Sequence, residues 1–279
     1  MTKASDPNMM SDGAPQSVAT PHPQAGGFGA TKLGHIVQAR RALPGPGYLT
    51  ALTWIQETFK PETYVEIGVL NGDSMAVAYP DAIRIGIDPA PTPNKPLPGA
   101  RLITVTSDEF FAAYDLRLVI GRDHFDLAFI DGLHLFEQAL RDFINLERFA
   151  GPESAIILHD CLPLDGPTSA RTRTTEFYSG DVWKLALCLR RERPDLRMTT
   201  IPTPPTGLCI VTGLDCRSTV LDRTYAECVS RYIDLVFDDY TSRAAQMPAQ
   251  IPNRKAAIAE YVAGLRQPAS RDAAQIEAR

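Results

Sequence analysis

Apolar and polar positions change period several times along the chain. Over Tyr48–Phe59, Leu49, Leu52, Trp54, Ile55 and Phe59 recur at helical spacing, and Pro61 stops the run. Thr63–Val69 (TYVEIGV) then becomes continuously apolar and β-branched, which predicts a buried strand. Asn71–Val77 suits a short helix. Ile83–Ile87 (IRIGI) reads as a second strand, stopped by Asp88-Pro89. After the proline-dotted loop Pro89–Pro98, Leu102–Val105 reads as a third. Ser107 stands where it would N-cap a helix carrying Phe110, Phe111 and Tyr114.

The alternation continues. Phe125–Ile130 (FDLAFI) predicts a fourth strand, and His134–Phe149 the clearest helix, with Phe136, Ala139, Leu140, Phe143 and Ile144 on one face. Glu137 precedes Arg141 by four residues, the favourable orientation for a helical ion pair. Gly151-Pro152 separates that helix from a fifth strand, Ala155–Leu158, which runs out at His159-Asp160. Ser179 or Asp181 would cap a helix reaching Arg191. Met198–Ile201 and Leu208–Val211 flank the turn Pro204-Pro205-Thr206-Gly207 and suggest an antiparallel pair. Two more helical stretches follow, at Leu221–Phe237 and Ala256–Leu265.

Strands alternating with helices, and apolar along their whole length, imply a doubly wound α/β sheet of about seven mostly parallel strands, covered on both faces. The expected organisation is a disordered tail over 1–30, an α/β domain over 31–215 and a helical extension over 216–279. In such a sheet ligands sit beyond the carboxyl ends of the strands, so the polar residues there carry the chemistry.

Composition narrows the field. The chain has 279 residues, 44% apolar and 22% charged, with a net charge of −5. It has neither the basic footprint of a nucleic-acid binder nor an apolar run of the length needed to cross a bilayer. Five cysteines without C-x-x-C spacing fit neither a disulfide framework nor a zinc knuckle, so the expected setting is a reducing cytoplasm.

The first strand-to-helix turn reads Glu66-Ile67-Gly68-Val69-Leu70-Asn71-Gly72. Two glycines there permit a sharp turn and close approach to a ligand. Asp88 ends the next strand twenty positions after Gly68, the spacing at which an acid accepts hydrogen bonds from a ribose. The G-x-G-x-x-G of a dinucleotide site is missing, and Glu66 suits a ligand with a positive group. Asp131 and Asp160 end adjacent strands, where two carboxylates would share a hard divalent cation such as Mg²⁺ with waters. His134, one helical turn past Asp131, is placed to take a hydroxyl proton near neutral pH. His159 would point away from Asp160 if the strand continued, as a core residue or a support to the site. Arg171 and Arg173 read as solvated surface.

The turn Glu66–Gly72, Asp88 and the run Phe125–Asp160 together resemble class I S-adenosylmethionine-dependent methyltransferases. The resemblance is to the subfamily whose fourth strand ends in D-G-x-H and fifth in H-D, which includes many small-molecule O-methyltransferases. It covers 62–213. It implies a Rossmann-like methyltransferase fold in which Gly68 and Gly72 admit the methionine and ribose part of S-adenosylmethionine. Glu66 would face the methionine amino group, Asp88 would hold the ribose hydroxyls, and Ser107 and Asp108 would neighbour the adenine. Asp131 would serve both cofactor and chemistry, and Asp131 with Asp160 would hold the metal. Cys161 stands where related catechol-type enzymes carry an asparagine, and thiolate is a poor magnesium ligand.

The expected activity is O-methylation of a small hydroxylated molecule, with His134 as general base and with neither nucleic acid nor membrane as partner. A homo-oligomer is compatible with the sequence. The alternatives are a non-catalytic, cofactor-binding partner subunit and, further off, an NAD-dependent oxidoreductase on the same sheet.

Overall fold

A computed structural model describes residues 29–265 of the chain. The expected tail, 1–30, lies outside the described residues except for its last two, which open the first helix.

The elements run α1 (Gly29–Ala42), α2 (Tyr48–Phe59), β1 (Thr63–Ile67), α3 (Asp73–Ala76), β2 (Ile83–Ile87), β3 (Ala100–Ile103), α4 (Ser107–Ala113), α5 (Leu116–Ile120) and β4 (Phe125–Ile130). They continue through α6 (Phe136–Glu147), β5 (Ala150–His159), α7 (Trp183–Glu192), β6 (Arg197–Ile201), β7 (Leu208–Thr212), α8 (Val220–Tyr232), α9 (Phe237–Ser242), β8 (Ala249–Gln250) and α10 (Lys255–Leu265).

Eight strands form one sheet in the order β3-β2-β1-β4-β5-β7-β6-β8. β1 to β5 are parallel, while β7 runs antiparallel to both β5 and β6. The mostly parallel, doubly wound α/β architecture is as expected. The antiparallel pair does not end the sheet, however. The two-residue β8 pairs with β6 and forms the edge, a strand too short to show a period.

Each face carries its own core. One packs α4 to α8 through Phe110, Leu116, Phe136, Phe143, Trp183 and Leu221, all buried. The other packs α2, α3 and α10 through Leu52, Ile55, Phe59, Met75, Ile258 and Val262. Strands serving both cores are buried along their length, β1 and β7 at every residue. That double burial is why they read as continuous apolar runs.

Several expected boundaries shift for local reasons. Thr106, not Ser107, caps α4: its side chain accepts from the Glu109 N–H while Glu109 bonds back, a full capping box. β5 starts at Ala150, because Gly151-Pro152 is absorbed at an irregularity in its pairing with β4 instead of preceding the strand. Asp181 does not cap α7, whose N-cap Val182 makes no side-chain hydrogen bond. The Asp181 carboxylate instead accepts from the Phe136 N–H at the start of α6.

Register places the site. Ile67 of β1 pairs with Ile87 of β2 and with Ile130 of β4, and Ile130 pairs with Leu158 of β5. Gly68, Asp88, Asp131 and His159 therefore emerge side by side at one level. Strand order reverses between β1 and β4, and this is the crevice where such sheets take ligands.

Candidate active site

The β1–α3 turn meets the β4–α6 turn so closely that only glycine fits at position 68. A Cβ on Gly68 would lie 2.1 Å from the carbonyl oxygen of Asp131, and its φ is +87°. Gly72 also holds a left-handed φ of +76°, closing the turn beneath Pro93 and Leu97. Asp88 fastens this turn from the neighbouring strand. Its Oδ2 accepts from the Val69 and Leu70 N–H groups at 2.9 and 2.8 Å, and its Oδ1 from Ala90 at 2.7 Å. Its carboxylate is half-buried, so it keeps an open side.

Glu66 is fully buried on β1. The Tyr64 hydroxyl donates to one oxygen at 2.8 Å and the Ser74 hydroxyl to the other at 2.6 Å. Burial pushes its pKa up to about 8 against both hydrogen bonds, which pull the other way.

Beyond β3, Ser107 and Asp108 do come together, through α6. The Ser107 hydroxyl donates to Asp142 Oδ1 at 2.6 Å, and the Gln138 amide donates to Asp142 at 3.0 Å and to Asp108 at 3.1 Å. Asp142 was not singled out in the sequence because it sits mid-helix, where an acid reads as solvated. Here it is buried, and that burial raises its pKa to about 6.

The acid–histidine centre lies over β4 and β5. His134 Nδ1 is 2.6 Å from Asp160 Oδ2, and its Nε2 is 3.7 Å from Asp131 Oδ1. The short contact lacks hydrogen-bond alignment, which leaves both Nδ1 and Oδ2 buried without a hydrogen-bond partner. The Thr206 hydroxyl donates to the other Asp160 oxygen.

His159 is buried in support of the site, as expected, but it lies on the same side as Asp160. It is the residue level with Asp131, so its Nδ1 lies 3.0 Å from Asp131 Oδ1, and 3.4 Å from Asp160 Oδ1. Asp160 returns to the same side because its φ is +60°, which breaks the strand's alternation. The Tyr48 ring covers His159 with centroids 4.4 Å apart.

Charge in the centre is mutually stabilised. Burial alone would depress His159, but Asp131 and Asp160 raise its pKa to about 9. The same contest leaves His134 raised, mainly by Asp160, and Asp131 lowered, mainly by His159.

One oxygen each from Asp131 and Asp160 and one nitrogen from His134 lie within 4.8 Å of one another. The two hard carboxylates and the unbonded Oδ2 of Asp160 fit a divalent cation. Cys161 adds nothing: it is buried, and its thiol donates to the carbonyls of Leu158 and His159.

Arg171 is not solvated surface. It pairs bidentately with Glu137 at 2.9 and 2.7 Å and reaches Asp181 at 2.7 Å. Arg173 is exposed and lies over the Tyr178 ring.

Residues 65–161 match the family model described as a methyltransferase domain. Glu66, Gly68, Gly72, Asp88, Ser107, Asp108, Asp131, His134 and Asp160 all fall within that match, which bears out the likeness to a methyltransferase domain over these residues. No curated protein matches the chain. Among solved structures, cofactor-bound Rv0187 from MTB is 15% identical, with a TM-score of 0.45, over 68% of this chain and 92% of its own. The O-methyltransferase from Bacillus cereus in complex with SAH is 15% identical at a TM-score of 0.43, covering 65% and 90%. TomG from Streptomyces achromogenes, an O-methyltransferase involved in tomaymycin synthesis solved with SAM, is 15% identical at 0.43, covering 64% and 88%. Likenesses this distant say nothing about the activity of this chain.

Proposed function

We propose that the chain is an S-adenosylmethionine-dependent methyltransferase that methylates an oxygen of a small hydroxylated molecule. The observation that carries this reading is the shared level of Gly68, Asp88 and Asp131 at the strand-order reversal, beside a histidine held between two strand-end aspartates. The glycine turn with Asp88 suits a ribose-bearing cofactor, and it lacks the G-x-G-x-x-G of a dinucleotide fingerprint. Glu66 would take the methionine amino group, and the Ser107–Asp108 corner would border the adenine.

Methyl transfer needs an acceptor oxygen in line with the sulfonium methyl, and much of the rate can come from holding that alignment. His134 lies in the crevice with part of its ring exposed, so it would take the hydroxyl proton as the oxygen attacks. Asp160, against its Nδ1, would stabilise the imidazolium that results. Asp131 stays ionised beside His159 and would face the sulfonium. A divalent cation held by Asp131 and Asp160 would, when bound, lower the pKa of the acceptor hydroxyl.

Calorimetry with S-adenosylhomocysteine is the direct test. Saturable binding that weakens in Asp88→Ala supports the reading. Absence of binding at millimolar ligand rejects it.

A further inference from the structure

We infer that Asp181 is a positioning residue for His134, and that Arg171 ties it to the loop following β5. This rests on the reading of His134 as the base.

His134 needs outside support. Its backbone is left-handed, with φ of +60°, a conformation that residues with a Cβ rarely adopt. It also precedes the start of α6, whose N-cap Leu135 offers no side-chain bond to the free N–H groups.

Both deficits are met from one distant stretch of chain. The Asp181 N–H donates to the His134 carbonyl at 3.2 Å, and Asp181 Oδ1 accepts from the Phe136 N–H at 2.7 Å. Residue 180 must be glycine for this approach, since a Cβ there would lie 1.9 Å from the His134 carbonyl oxygen. The carboxylate is itself fixed, 1% exposed, with Lys184 at 2.8 Å and Arg171 at 2.7 Å on its second oxygen. Arg171 also grips Glu137 in the first turn of α6, so one guanidinium joins the loop to the helix that carries the base.

The loop side of this latch faces the site. The Tyr178 hydroxyl donates to the Arg171 carbonyl at 2.9 Å, and the Tyr178 ring lies 6.0 Å from the His134 ring. The loop whose Tyr178 lies beside the His134 ring therefore also sets the backbone of the base, and displacing it would turn the His134 ring away from Asp160.

Histidine ring NMR on the full chain reads this without knowledge of the acceptor. There are five histidines, and His134→Ala assigns the relevant signal by its loss. In Asp181→Ala the His134 ring signals should shift and broaden while those of His124 stay in place. S-adenosylhomocysteine affinity should be unchanged. Arg171→Met should move the same signals in the same direction by less, and it is the deciding variant if Asp181→Ala, which strands the buried Lys184 ammonium, fails to fold. A folded Arg171→Met protein whose His134 signals sit at wild-type positions overturns the proposal. Failure of the wild type to bind S-adenosylhomocysteine would reject the methyltransferase reading instead, and the NMR result would still decide the role of Asp181.

Discussion

Four non-glycine residues take left-handed backbone among those described, and three of them, Leu70, His134 and Asp160, stand at the carboxyl end of the sheet. Such conformations persist only where surrounding structure enforces them, and they gather at functional sites. His134→Ala should lower kcat by roughly 10²–10⁴, the scale for losing a general base, with cofactor affinity retained. Wild-type turnover in that variant would leave the two carboxylates as the remaining proton acceptors. Glu66 makes a prediction of opposite character. In the free protein its pKa is raised to about 8, so the carboxyl is mostly protonated at neutral pH. Pairing with the cofactor ammonium requires the carboxylate, so binding should expel a proton. Affinity should therefore climb as pH rises toward 8, by up to about tenfold per unit. Calorimetry in buffers of different ionisation enthalpy counts the proton, and Glu66→Gln should flatten the slope. A wild-type affinity indifferent to pH would detach Glu66 from the amino group. Asp131, His134 and Asp160 were legible in the sequence because strand ends announce themselves. His159 is the buried support expected, but its direction was not legible, because it depends on the register of β4 with β5 and on a single left-handed residue after it.

At the scale of elements, periodicity located most of what a single face can specify. The bounds of α2, β2 and β4 agree with the structure to the residue. The misses are α1, whose few apolar residues do not gather on one face, and elements too short to show a period: β8 is two residues long, α5 five and α9 six. The cap of α6 comes from Asp181, 45 residues away, which no capping box signals. α10 was visible as a helix, but its docking site was not. It lies against α2, with Lys255 paired to Glu57, and the Asn253 side chain just before it bonds the carbonyl of Pro46. Ile258 is fully buried there, in the same core as Leu52 and Ile55. Ile258→Ala should therefore cost about 2–5 kcal/mol of stability, as for other large-to-small changes in a packed core. Exposed Leu118→Ala, on α5, should cost far less. Chemical denaturation of the two variants compares them, and equal midpoints would mean that α10 does not contribute to the cooperative core.

For the whole molecule, the issue is whether the residues beyond 215 form a separable extension or complete the domain. The family match ends at 161, and the expected cofactor, metal and base residues all precede β6. Yet β8 pairs with β6, Ile251 donates to the Thr200 carbonyl, and Lys184 of α7 donates to the carbonyl of Ile233. The last helices thus reach both faces of the sheet, and in α7 they touch the helix that begins just after Asp181. A chain tied together in this way should unfold in a single transition, observed by calorimetry and by circular dichroism at the same midpoint. The cofactor reading adds a shift to that transition. A ligand that binds only the folded state at a hundred times its dissociation constant contributes about 2.7 kcal/mol. For a domain of this size that raises Tm by about 5–10 °C. S-adenosylhomocysteine should produce such a shift, and chelator should leave it nearly intact, because Asp131 alone among the expected cofactor residues is also an expected metal ligand. Chelator should still abolish turnover if Asp131 and Asp160 use a cation to acidify the acceptor. Turnover indifferent to chelator would leave proton removal to His134 alone. Two separate transitions, with only the first moved by S-adenosylhomocysteine, would instead make the C-terminal residues an independent unit.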